Sequence, residues 1–183
     1  MNPAANLILI GPMGAGKTSV GRRLANLMEL PFVDVDEAIE ARTGASIALT
    51  FDIEGEAGFR KRESDMLIDI LGDSGQVVST GGGAVLDDAN RQLLRARGFV
   101  VWLDAGVETQ LLRLRHDRKR PLLQTDNPHQ QLQQLAALRN PLYQALADLH
   151  VSSNEARSSA LLAKQLARMI ADRWQRSEVI HSA

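Results

Sequence analysis

Apolar residues along the chain fall in short continuous runs, separated by longer stretches in which they recur every three or four positions. Four runs stand out, at Leu7–Ile10, Phe32–Val35, Val77–Thr80 and Phe99–Leu103, with a weaker fifth at Leu149–Val151. Each is followed by turn residues and then an amphipathic stretch. Continuous apolar strands without in–out alternation suit burial on both faces, so this succession predicts a parallel sheet covered by helices on both sides. The final helix is expected from about Glu155 to Trp174, with Leu162, Leu166, Met169 and Ile170 on one core-facing stripe. Leucines at 132, 135 and 138 make the glutamine-rich stretch 130–134 a solvated amphipathic helix rather than a low-complexity tract. Pro141 is expected to break or kink that helix, because it lacks a donor and disfavours helical geometry at Asn140.

Between these elements, His116–Pro128 has little periodicity, two prolines and the basic run Arg118-Lys119-Arg120. A loop of this length usually has a task, so residues 115–127 read as a closing lid, with a disordered connection as the alternative. Residues 1–176 read as one domain and 177–183 as a frayed polar tail.

Composition narrows the chemistry. The chain has 183 residues, 44% of them hydrophobic, enough for one substantial core. With 21 basic and 22 acidic residues the formal charge is −1, which argues against nucleic acid or an anionic membrane as a partner. Local basic clusters at Arg60-Lys61-Arg62 and from Arg113 to Arg120 keep small anions as ligands. The absence of cysteine excludes disulfides, thiolate metal sites and cysteine nucleophiles. No apolar run approaches the ~20 residues of a membrane span, and the expected location is the cytoplasm.

In open parallel sheets ligands gather beyond the carboxyl ends of the strands. The first run is followed there by Gly11-Pro12-Met13-Gly14-Ala15-Gly16-Lys17-Thr18, which reads G-x-x-x-x-G-K-T. Strand before and helix after give this pattern its mechanism. Backbone N–H groups and the positive end of the helix dipole cradle a polyphosphate, Lys17 reaches the outer phosphates, and the Thr18 hydroxyl can hold Mg²⁺.

Asp34 and Asp36 alternate with Val33 and Val35, which in an extended segment puts both carboxylates on one side of the chain. One acid can complete a Mg²⁺ shell through water and the other can accept a hydrogen bond from a substrate hydroxyl; capping a helix is the alternative for Asp36. No apolar run in the later strands reads as ending in the aspartate that orients magnesium in many P-loop enzymes, and Val77–Thr80 ends in hydroxyls, which moves the acidic role to Asp34. Gly81-Gly82-Gly83 is either a tight turn before a helix capped by Asp87 or a place where a ligand approaches bare backbone. Arg60 and Arg139 can pair bidentately with a carboxylate, although most arginines lie on the surface.

Taken together, these motifs resemble those of the shikimate kinase family. The resemblance runs from about Leu7 to the last helix and includes Phe51, Gly55-Glu56, Phe59-Arg60, Glu63, Arg120-Pro121-Leu122-Leu123 and Arg139-Asn140-Pro141-Leu142-Tyr143. It implies an α/β, P-loop nucleoside-monophosphate-kinase-like three-layer fold with a central five-stranded parallel sheet and a mobile lid. The implied reaction moves the γ-phosphate of ATP to the 3-hydroxyl of shikimate, with Mg²⁺, in a monomeric enzyme of the chorismate pathway.

By the same resemblance, Gly14, Ala15, Gly16, Lys17, Thr18 and Ser19 would hold the phosphates, and Lys17 and Arg120 would neutralise the moving phosphoryl group. Asp36 would contact the acceptor hydroxyls, while Arg60 and Arg139 would clasp the acceptor carboxylate beside Gly82 and Gly83. Asp34 would hold the magnesium water shell together with Thr18. Arg113 would lie against adenine, with Arg115 as the alternative, and Glu63 would orient an arginine. Two other readings remain at this point: a small-metabolite kinase of the same fold, such as gluconate kinase, and an ATP-binding regulator without turnover.

Overall fold

The computed structural model describes residues 3–115, 125–154 and 158–176. A two-residue strand β1 (Pro3–Ala4) precedes β2 (Asn6–Ile10), helix α1 (Lys17–Leu27), β3 (Phe32–Asp34), α2 (Val35–Thr43) and α3 (Ile47–Gly72). There follow β4 (Val77–Ser79), a single 3-10 turn at Ala84–Leu86, α4 (Asp88–Arg97), β5 (Gly98–Asp104) and α5 (Val107–Leu114). The chain continues through α6 (Pro128–Leu146), β6 (Leu149–Ser152), α7 (Ser159–Ala171) and β7 (Gln175–Arg176).

Strands β2 to β6 form one sheet in the order β3-β4-β2-β5-β6, every pairing parallel. The five apolar runs are its five strands. Successive residues of β2 are buried on opposite faces. Leu7 and Leu9 pack with Leu24 of α1 and Leu162 and Leu166 of α7, while Ile8 and Ile10 pack with Leu67 of α3, Leu94 of α4 and Tyr143 of α6. Two buried faces require apolar residues at every position, which is why the runs show no alternation. The predicted α/β parallel sheet with helices on both sides is the fold observed.

Several boundaries differ from the expectation. The second strand stops at Asp34 and Val35 already belongs to α2, because Asp34 caps that helix with its side chain. Helix α7 begins at Ser159 behind the capping hydroxyl of Ser158, and Met169 sits at the edge of its buried stripe. Helix α6 runs through Pro141 without a break. The proline removes the donor that would serve the Ala137 carbonyl, but burial of Leu132, Tyr143 and Leu146 on the same helix outweighs that loss. Asp87 caps α4 as expected.

Helix α3 is bent at Gly55, whose φ of 70° and ψ of −177° only glycine adopts readily. β7 pairs in parallel with β1 and ties the last described residues to the first. Residues 116–124, the greater part of the expected lid, and 177–183, the expected frayed tail, lie outside the described residues. Among the described residues no helix is long and apolar enough to cross a membrane.

Candidate active site

The loop after β2 turns on glycines in the left-handed region, Gly14 at φ 75° and Gly16 at φ 91°, and Gly16 leads straight into α1. No side chain caps that helix and its first turn holds no acid, so its N–H groups and positive dipole end are left for an anion. Lys17 folds over the loop, its Nζ donating to the carbonyls of Gly11 at 2.8 Å and Pro12 at 2.9 Å. Gly14, Gly16, Lys17, Thr18 and Ser19 line a cavity of about 330 Å³ at the carboxyl ends of β2, β3 and β4. Ala15 does not: its side chain is buried in the core, and its N–H is directed to Pro12 O at 3.3 Å.

Both predicted acids line the same cavity, though not by the alternation that suggested them. Asp34 ends β3 and caps α2, one oxygen accepting from the N–H groups of Asp36 and Glu37. Its other oxygen accepts from the Thr18 hydroxyl at 2.7 Å, joining α2 to the phosphate loop. Asp36 lies in the first turn of α2, so the cap is Asp34 and not Asp36. Asp104, which ends β5, supplies no acid here: it is not on the cavity wall, and its carboxylate lies 3.5 Å from His150.

Two arginines also line the cavity. Arg60 Nη1 donates to Glu63 at 2.6 Å and Nη2 to Glu56 at 3.1 Å. Burial alone would lower the Arg60 guanidinium, but these two carboxylates outweigh it and hold it above its ordinary value. Glu63 is fully buried, which raises its carboxyl above the ordinary range in spite of Arg60, and among the described residues its Oε1 has no hydrogen-bond partner. Arg139, on α6, is 3% exposed, and burial lowers its guanidinium. Among the described residues no carboxylate forms an ion pair with it, and its Nε has no partner. A buried cation in that state favours an incoming anion.

Side chains of the site crowd against the first and third glycines of the triplet. A Cβ on Gly81 would lie 2.2 Å from Glu63 Oε1, and one on Gly83 would lie 2.3 Å from the Arg60 guanidinium. Ile47, Phe51 and Phe59 add an apolar wall, the two phenyl rings being 4.7 Å apart. Arg113 also lines the cavity, its guanidinium donating to the carbonyls of Gly14 and Ser153 and to the Ser153 hydroxyl. Arg115 follows α5 as its cap and is not on the wall, while Arg120 lies outside the described residues.

Sequence reasoning gave no role to Tyr143, Ile47, Met13 or Ser153. For Tyr143 the available signal was its i,i+4 spacing from Arg139 on one helix.

A family model described as shikimate kinase matches residues 13–171. Shikimate kinase of Halorhodospira halophila is 54% identical over 171 residues, covering 93% of this chain and 94% of that one. Shikimate kinase of Stenotrophomonas maltophilia is 52% identical over 179 residues, covering 98% and 99%. The chain belongs to the shikimate kinase family. Among solved structures, shikimate kinase from Acinetobacter baumannii in complex with shikimate superposes with a TM-score of 0.89 at 43% identity, covering 93% of this chain and 95% of that one. Every residue lining the cavity falls within the stretch matched to the shikimate kinase family.

Proposed function

We propose that the protein transfers the γ-phosphoryl group of ATP to the 3-hydroxyl of shikimate, giving 3-phosphoshikimate and ADP for chorismate and aromatic amino acid biosynthesis. One observation carries the reading: a single cavity is lined both by a helix N-terminus with Lys17 and by Arg60 and Arg139, the latter a buried arginine with no carboxylate partner among the described residues. Such a cavity suits a nucleoside polyphosphate facing an acceptor that carries a carboxylate. The solved relative from Acinetobacter baumannii, which holds shikimate, supports the identity of that acceptor.

In this reading Gly14, Gly16, Thr18 and Ser19 cradle the phosphates, the Ala15 backbone belongs to the same loop, and Arg113 lies against adenine. Arg60 and Arg139 clasp the carboxylate, with the Gly82 and Gly83 backbone beside them. Asp36 orients the acceptor hydroxyl and takes its proton as the oxygen bonds to the γ-phosphorus and the bond to the β-phosphate oxygen breaks. Because negative charge gathers on the peripheral oxygens of a loose transition state, Lys17 and Arg120 supply most of the rate by neutralising it.

The residues at the phosphate end fit Mg²⁺. That ion prefers few carboxylates and keeps several waters, and Thr18 with Asp34 offers one hydroxyl and one carboxylate in mutual contact. Bound there with ATP, it would screen the phosphate charge. Among the described residues there is no cluster of three or more acidic, histidine or cysteine side chains that could hold a metal.

The proposal extends to a single-domain monomer working in the cytoplasm, with no nucleic acid or membrane partner. Coupled measurement of ADP release with shikimate, quinate, gluconate and nucleoside monophosphates tests it. Turnover dependent on shikimate is expected; preference for gluconate or a nucleotide, or ATP binding without turnover, would overturn it.

A further inference from the structure

We propose that Tyr143 is a positioning residue whose buried hydroxyl sets the acceptor side of the cavity by holding the Gly82 peptide in one orientation beside Arg139. Tyr143 is fully buried in the core beside Trp102, and it is not on the cavity wall. A phenylalanine would fill the same space. A hydroxyl at such a depth costs free energy unless it is hydrogen-bonded, so its presence has to be explained by what it bonds.

The hydroxyl donates to Gly82 O. Arg139 stands one helical turn back on α6, and its Nη1 lies 3.5 Å from where a Cβ on Gly82 would be, so cation, phenol and carbonyl are neighbours. In a trans peptide the carbonyl of one residue and the N–H of the following residue point in opposite directions. With the Gly82 carbonyl drawn back toward Tyr143, the Gly83 N–H is turned to the cavity side. Gly82 and Gly83 line the cavity, and the Gly83 N–H has no acceptor among the described residues. One hydroxyl thus fixes the direction of a backbone donor next to the arginine. The inference rests on the proposal above that Arg139 meets the acceptor carboxylate.

Steady-state kinetics of Tyr143→Phe test it, with Leu146→Val as a packing control one turn along α6. The expected result for Tyr143→Phe is a shikimate KM raised about five- to fiftyfold with the ATP KM within about twofold of wild type. Leu146→Val should lower the melting temperature and leave the shikimate KM in place. Equal rises in both KM values, no rise, or the same split in Leu146→Val would overturn the positioning role. A wild type without turnover of shikimate would overturn the function on which it rests, so the two failures are distinguishable.

A second measurement needs no variant. Tyr143 is the single tyrosine of the chain, so [¹³Cζ]tyrosine gives one unambiguous resonance. Shikimate alone should shift that resonance by neutralising Arg139, and ATP alone should leave it in place. A resonance indifferent to shikimate would overturn the proposal.

Discussion

The Arg60 guanidinium lies face-on against Gly83, so close that a Cβ there would meet its carbon and both terminal nitrogens at 2.3 Å. Neither Gly81 nor Gly83 has a positive φ. Their smallness serves the neighbouring side chains, not a turn. Gly83→Ala should displace the guanidinium from Glu63 and raise the shikimate KM on the order of ten- to hundredfold with ATP binding retained. Initial rates with each substrate varied in turn check this, and an unchanged shikimate KM would show that Arg60 does not meet the acceptor.

Asp34 does two jobs that substitution can separate. As the cap of α2 it accepts two N–H groups, and through Thr18 it reaches the phosphate loop. Asn caps about as well as Asp, so Asp34→Asn should keep its stability to denaturant and lose activity that added Mg²⁺ restores only in part. Asp34→Ala should lose the same activity and about 1 kcal/mol of stability besides. Urea unfolding beside Mg²⁺ titrations of the rate distinguishes the two.

Burial pushes the Tyr143 phenol up to about 12, from an ordinary value near 10. Because the folded value is the raised one, the stabilisation is fully present below about pH 10, where the unfolded phenol is still neutral, and is lost as pH climbs toward 12. The loss across that window is about 2–3 kcal/mol. Absorbance titration near 295 nm should give a midpoint close to 12 in native protein and ~10 in denatured protein. Coincident midpoints would mean that the hydroxyl is not held in the core.

If Lys17 and Arg120 neutralise the moving phosphoryl group as proposed, Lys17→Ala and Arg120→Ala should lower kcat by on the order of 10³-fold or more. If Arg139 clasps the acceptor as proposed, Arg139→Ala should act mainly on the shikimate KM. Single-turnover measurements with saturating ATP separate the two classes.

Much of this was legible in the sequence, for physical reasons that also explain what was not. The five strands are buried on both faces and therefore read as continuous apolar runs, and the phosphate loop needs Gly14, Gly16, Lys17 and Thr18 at fixed spacing. Asp34 and Asp36 were found by an argument of period two that does not hold, since the strand ends where Asp34 caps α2. They share the cavity because a cap and the first turn of its helix lie together. Pro141 costs one hydrogen bond, which local rules weigh heavily, yet the burial of Leu132, Tyr143 and Leu146 decides in favour of the helix. The bend at Gly55 and the pairing of β1 with β7 depend on a single residue and on two-residue strands, too little for any periodicity. Tyr143 was hidden because a buried aromatic on a helix reads as core until its hydroxyl is placed.

The central claim is that one cavity grips two anions from opposite ends. A crystal structure with ADP and shikimate bound together tests it most directly. The account predicts the shikimate carboxylate within hydrogen-bond distance of Arg60 and Arg139, and the β-phosphate in the loop ahead of Lys17. A carboxylate seated elsewhere, with those two guanidinium groups turned away from it, would contradict the account.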